Sequence, residues 1–285
     1  MALPRFSYFL IPLLAIFIAF IFFPDYKDPT ASGMAIPPLD SPCPLVHTPQ
    51  YETKKNDTFT KGATHMALVH NAILRGFNSI YQQAPHVKEA DYPDFVGYSL
   101  AWYNFVKLHH DDEETELFPK VEEIIGKKGI WDQTHKEHEA FLAGLGEYES
   151  YLKGLKTPKD FDGAKLVSIM DTFQKPFNDH FHSEIKTIAA LSELGDYSEA
   201  GPIFAKWGKT SLMKSGYADG IPMLFFNFDR TFEDGMWAAW PPMPAPIRVL
   251  LTKVGSTWHW GWWKFASCDG DGNPKALYAA VPSTK

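Results

Sequence analysis

Two cysteines in 285 residues leave no material for a disulfide-rich scaffold or a four-cysteine metal site. Lysine- and arginine-rich runs are missing as well, and with a formal net charge of -7 the chain has no basic face for a nucleic-acid backbone. No glycine-rich phosphate loop, dinucleotide fingerprint or nucleophile elbow occurs, so kinase, dehydrogenase and serine-hydrolase chemistry have no residues to rest on. Internal repeats and low-complexity tracts are also lacking. With 45% hydrophobic and 21% charged residues the chain is neither disordered nor a charged coiled coil, and its length suits one main domain with additions.

Against these absences, the first feature present is a long apolar run. Residues 6–23 read FSYFLIPLLAIFIAFIFF without a charge, and as a helix they would span roughly 27 Å, close to a bilayer core. Residues 1–24 therefore read as an N-terminal transmembrane helix, with a cleaved signal sequence as the alternative. Arg5 precedes the run and Lys27 follows it. This balance weakly favours a single-pass protein whose body is lumenal or extracellular, or secreted if the segment is removed. Residues 25–60 carry Pro37, Pro38, Pro42, Pro44 and Pro49 and read as a linker or extended arm.

From 61 to 194 the apolar residues recur at helical spacing. Four helices are expected, at about 61–83, 93–125, 131–155 and 161–194, with Pro119 and Pro176 as kink positions. Connections this short make neighbours antiparallel, so the fold class is all-α, an up-down-up-down four-helix bundle. Residues 195–285 hold seven of the nine Trp and the stretch PPMPAP. They read as an irregular extension packing its aromatics onto the bundle, not as a fifth bundle helix. CDGDGNP at 268–274 reads as a turn, and Cys43 and Cys268 can pair only if the fold brings them together in an oxidising lumen.

Nine of the eleven His fall in the helical region. His109 and Glu113 are four apart, as are His180 and Glu184, so each pair shares one helix face. His70 on the first helix and His138 on the third complete a set in which every helix offers a ligand. Imidazole and carboxylate together suit iron, manganese or zinc; six ligands exceed one tetrahedral zinc and suffice for two ions sharing the glutamates. His110 with Glu114 repeats the spacing of His109 with Glu113 and stands as its rival, while His135 is a further candidate beside His138. Glu114 and Glu116 otherwise read as a solvated acidic face.

The His on the first helix, the run HHDDEETELFP (109–119), the run HKEHEAF (135–141) and the pair in DHFHSEI (179–185) together resemble the hemerythrin-like (HHE cation-binding) family. The resemblance covers 61–194, and the run at 72–85 with the aromatic tail is similar to a fungal type of that family. It implies a non-haem di-iron centre held by His70, His109, Glu113, His138, His180 and Glu184, with dioxygen or a similar small ligand as partner. Two departures point away from reversible oxygen carriage. Thr134 stands four before His138, where the oxygen carriers have a second histidine, and Glu184 stands one residue before the place of their aspartate. A di-iron oxidase or peroxidase-type enzyme and a redox-silent zinc or iron-storage protein are the rival implications.

Overall fold

Helix formation starts at Asp57, whose carboxylate accepts from the Thr60 backbone N–H at 2.9 Å and from the Thr60 hydroxyl at 2.6 Å. This cap satisfies donors that the first helical turn leaves open. In the computed structural model, which describes residues 40–279, the capped helix follows a short one. These are α1, Pro49–Thr53, and α2, Thr58–Gln83. Then come α3, Tyr92–Asp112, a single π-turn at Glu113–Leu117, and α4, Phe118–Ile125. The bundle is completed by α5, Asp132–Lys153, and α6, Gly163–Ala190. Among the described residues no strand forms; the nearest approach is an isolated bridge between Cys268 and Pro274.

Helices α2, α3, α5 and α6 close a ring in which each packs on the next. Their shared interior is aromatic. Phe77 lies 5.4 Å from Phe177, Trp102 5.3 Å from Tyr148, and Phe141 5.4 Å from Phe177, all fully buried. Burying each such ring stabilises the fold by about 1.5–3 kcal/mol, with a further ~0.5–1.5 kcal/mol where rings meet edge to face. The Trp102 indole also donates to the Ile73 carbonyl at 2.9 Å, which ties α3 to α2. Gly76 makes this crossing possible, because a Cβ there would stand 2.5 Å from the Trp102 ring.

Several sequence expectations need correction. The second helix is interrupted by the π-turn just before Pro119, and Pro119 falls in the first turn of α4, where no N–H is required. The fourth helix runs as one unit through Pro176 and ends at Ala190, followed by a tighter turn at Leu191–Leu194. Residues 58–60 belong to α2, and the arm before it is docked: Asn71 and Asn78 on α2 each hold a backbone N–H and carbonyl of Val46 and Cys43 at 2.7–2.9 Å.

The extension is more regular than its prolines and glycines suggest. It contains α7, Ala200–Lys214, together with the short helices α8, Ile221–Phe225, and α9, Ala245–Val249. Helix α7 is a fifth helix seated against α2, α3 and α4. Pro202 sits in its first turn and costs it no hydrogen bond. Elsewhere the extension is pinned through Glu233, which is buried and accepts from the Thr48 N–H at 2.8 Å and the Trp237 indole at 2.6 Å. Residues 268–274 do form a turn, with Asp269 accepting the N–H groups of Asp271 and Asn273. Cys43 and Cys268 are both buried free thiols and do not pair. No helix among the described residues is long and apolar enough to cross a membrane, and the apolar run 6–23 lies outside them.

Candidate metal centre

Residues four apart on a helix point the same way, and each pair converges inside the ring. Nε2 of His109 lies 2.9 Å from Oε1 of Glu113, and Nε2 of His180 lies 3.5 Å from Oε2 of Glu184. From α2, His70 brings Nε2 to 3.3 Å from the same Glu184 oxygen. From α5, His138 places Nε2 3.1 Å from Nε2 of His180 and 3.8 Å from Oε2 of Glu113. All six side chains are buried.

Among these six side chains, two groups of three have ligand atoms close enough to hold a metal ion, His70 with His109 and Glu113, and Glu113 with His138 and His180. Glu113 is common to both. Glu184 reaches His70 of one triad and His180 of the other. The arrangement is symmetric, two histidines on each side and two carboxylates between.

A satisfied core network would hydrogen-bond these atoms. Instead Nε2 of His70 and of His109 and the carboxylates of Glu113 and of Glu184 are buried in imidazole–carboxylate contacts of 2.9–3.8 Å that lack hydrogen-bond alignment. Buried polar atoms of this kind call for an ion or other partner. The donors are nitrogen and oxygen only, which suits iron, manganese or zinc.

Outer partners orient the rings. The Phe181 carbonyl accepts from Nδ1 of His70 at 3.0 Å, which leaves the lone pair on the inward Nε2. On His138, Nδ1 meets the Glu114 carboxylate at 2.5 Å. Glu137 stands 3.6 Å from Nδ1 of His180. The Glu114–His138 pair fixes the tautomer and raises ligand basicity, whereas Nδ1 of His180 has no hydrogen-bond partner.

Electrostatics follow from burial. Burial holds His109 neutral, its pKa pushed down to about 4, and drives that of His180 well down despite nearby Glu184. Burial and the adjacent Glu184 charge raise Glu113 well above the carboxylate range. Burial would raise Glu184 too, but His70, His180 and His138 around it hold it at about 2. Burial opposes charge on His138, yet Glu114, Glu113 and Glu184 outweigh it and raise its pKa. A metal ion on the inward nitrogen would take the place of that second proton.

The remaining candidates sort by position. His110 is not in either inner triad; it points to the other side of His138, with ring centroids 4.4 Å apart. His135 is half exposed, and its Nδ1 meets Glu114 at 2.8 Å instead of entering the centre. Glu114 is the residue that sequence reasoning placed wrongly. It is not part of a solvated face: burial opposes its charge, but His138 and His135 bind it and hold its pKa at about 2. The signal available was the pair of histidines three apart on α5, which this one carboxylate joins. Glu116 is exposed and pairs with Lys120. His182 bonds the Pro44 carbonyl, while His65 and His86 are exposed.

Helix α7 closes the side of the centre nearest His109. The Trp207 ring lies 5.7 Å from the His109 ring, its indole donates to the Asp112 carbonyl at 3.1 Å, and Lys214 meets the Asp112 carboxylate at 2.7 Å. Below, Phe141 and Phe181 pack on His180 and His70. The centre is therefore walled by aromatic carbon.

Residues 61–191 match the sequence model of the hemerythrin HHE cation binding domain, which places a cation-binding domain on the helices that carry this centre. The chain is also similar to the dimeric xanthone biosynthesis cluster protein R11 of Cryptosporiopsis sp. (strain 8999), 29% identical over 239 residues that span 83% of this chain and 90% of that protein. No solved structure matches it.

Proposed function

We propose that the protein holds a non-haem di-iron centre and binds or senses dioxygen or a related small ligand. One observation carries this reading: Glu113 is shared by both histidine triads while Glu184 contacts one histidine of each, the pattern of two carboxylates between two ions. His70 and His109 would hold one iron, and His138 and His180 the other. Ferrous ions there would supply electrons to a small ligand.

The protein's own contribution is placement and exclusion. Phe181 and Glu114 orient the His70 and His138 rings, and Trp207, Phe141 and Phe181 restrict the space to a small molecule. Zinc or manganese would suit the same donors, and a zinc-loaded protein would be redox-silent. The apolar run at 6–23 is the reason to place the protein at a membrane, with the body lumenal or extracellular. The alignment with the Cryptosporiopsis protein reaches well beyond residues 61–191, which supports the fungal subtype and a shared extension.

A second reading has its own support. The name of that relative ties it to a biosynthetic cluster, which favours a di-iron oxidoreductase acting on an organic substrate. The test is to load the full-length chain anaerobically with Fe2+, count the metal, and record the absorption spectrum reduced and air-exposed. About two irons per chain with oxygen-dependent near-ultraviolet bands, both lost in His109→Ala/His180→Ala, is the expected result. A colourless protein that takes zinc but not iron would overturn the di-iron reading. Rapid reoxidation coupled to consumption of an added substrate would select the enzyme.

A further inference from the structure

The buried centre poses a question of access: His70, Glu113 and Glu184 are wholly shielded, so a hydrated cation needs a place to shed water before it arrives. One side of the centre offers such a place. His110, Glu114 and His138 form a third group with metal-ligand spacing, and unlike the two inner triads it is half-buried. The side chain of Glu114 is 27% exposed and that of His135 is 42% exposed, while His138 is only 2% exposed. The group thus runs from solvent to interior within a few ångströms.

The π-turn makes this geometry. A residue added to the helical repeat rotates the chain, and two consecutive glutamates come to serve the two nitrogens of one ring. Glu113 faces Nε2 of His138 at 3.8 Å, while Glu114 faces Nδ1 at 2.5 Å. The other Glu114 oxygen lies 2.8 Å from Nδ1 of His135. His110 is oriented in its turn by Asp111, whose carboxylate lies 2.9 Å from its Nδ1. That pairing leaves the His110 Nε2 lone pair for a cation.

We propose that His110, Glu114 and Nδ1 of His138, with His135 holding the second Glu114 oxygen, form an outer capture site for a divalent transition-metal ion. The site lies on the route by which ions reach the buried centre, and it rests on the reading of that centre as a metal site. Two imidazoles and one carboxylate select a borderline cation over magnesium or calcium. Because His138 belongs to both sites, they are filled in succession.

The experiment uses Co2+, whose visible absorption reports its coordination, on the full-length protein. His109→Ala/His180→Ala removes a ligand from each side of the buried centre; this variant is expected to retain one Co2+, which is lost when His110→Ala/His135→Ala is added. The His110→Ala/His135→Ala protein alone, with unchanged far-ultraviolet circular dichroism, is expected to reach the wild-type end point but to load more slowly at limiting Co2+. A Co2+ that persists in the quadruple variant, or loading of the outer double variant at the wild-type rate, would overturn the capture site and leave the inner centre standing. If the wild type takes no Co2+ at all, the reading of the centre fails with it.

Discussion

The Glu114 carboxylate lies 2.5 Å from Nδ1 of His138, across the imidazole from the nitrogen that faces His180 and Glu113. A partly exposed side chain thereby sets the proton position of a buried ring. Replacing Glu114 by alanine should lower the metal affinity of the buried centre by about 10–100-fold, the usual effect of removing a carboxylate behind a histidine ligand. Competition of the Co2+-loaded protein against a chelator measures this. Unchanged affinity would separate Glu114 from the centre.

Trp207 connects the extension to the site. Its ring covers His109, and its indole holds the last turn of α3 through the Asp112 carbonyl. Trp207→Ala should leave the metal stoichiometry intact, because no ligand is removed, while a chelator strips the metal several-fold faster. Equal stripping rates in the two proteins would mean that α7 is not the wall that matters.

At Gly97 the extension meets α3 without room to spare. A Cβ there would stand 2.2 Å from the Trp262 ring, so Gly97→Ala forces the indole or the backbone to move. Destabilisation by about 1–3 kcal/mol is expected, the usual cost of overpacking. The metal content should stay unchanged, because Gly97 lies three turns from His109. Urea unfolding followed by tryptophan fluorescence reads the first, and metal analysis the second; full stability would show that Trp262 is not packed there.

Lys275 gives the extension a pH signature. Burial pushes its pKa down to about 8, and its ammonium donates to the Trp263 and Lys264 carbonyls. The unfolded chain keeps that proton to about pH 10.5, so above pH 8 the unfolded state binds more protons and stability rises with pH. Between about pH 8 and 9 the Lys275 contribution should rise by at most about 1.4 kcal/mol per pH unit, set against an opposite slope from Cys43 and Cys268, whose thiols burial raises. Lys275→Met should remove that contribution. Thermal melts of both proteins across that window make the comparison, and parallel curves would contradict the assignment.

How much of this was legible in the sequence differs by residue. His109 with Glu113 and His180 with Glu184 declare a shared helix face through their spacing alone, and apolar periodicity places the four helices that bring them together. Glu114 was not legible, because an acidic run reads equally as a solvated face until the two α5 histidines that it joins are in place. Helix α7 was hidden because the PPMPAP stretch and the scattered tryptophans made the whole extension read as irregular, whereas its own proline, Pro202, occupies a first turn, where it is harmless. The docking of the arm was hidden because Asn71 and Asn78 look like ordinary polar residues until the backbone they hold is in place.

Anomalous scattering from crystals of the iron-loaded protein at the iron edge tests the central claim most directly. The account predicts two iron peaks between Glu113 and Glu184, one beside His70 and His109 and the other beside His138 and His180. A single peak, or none after anaerobic loading, would contradict it.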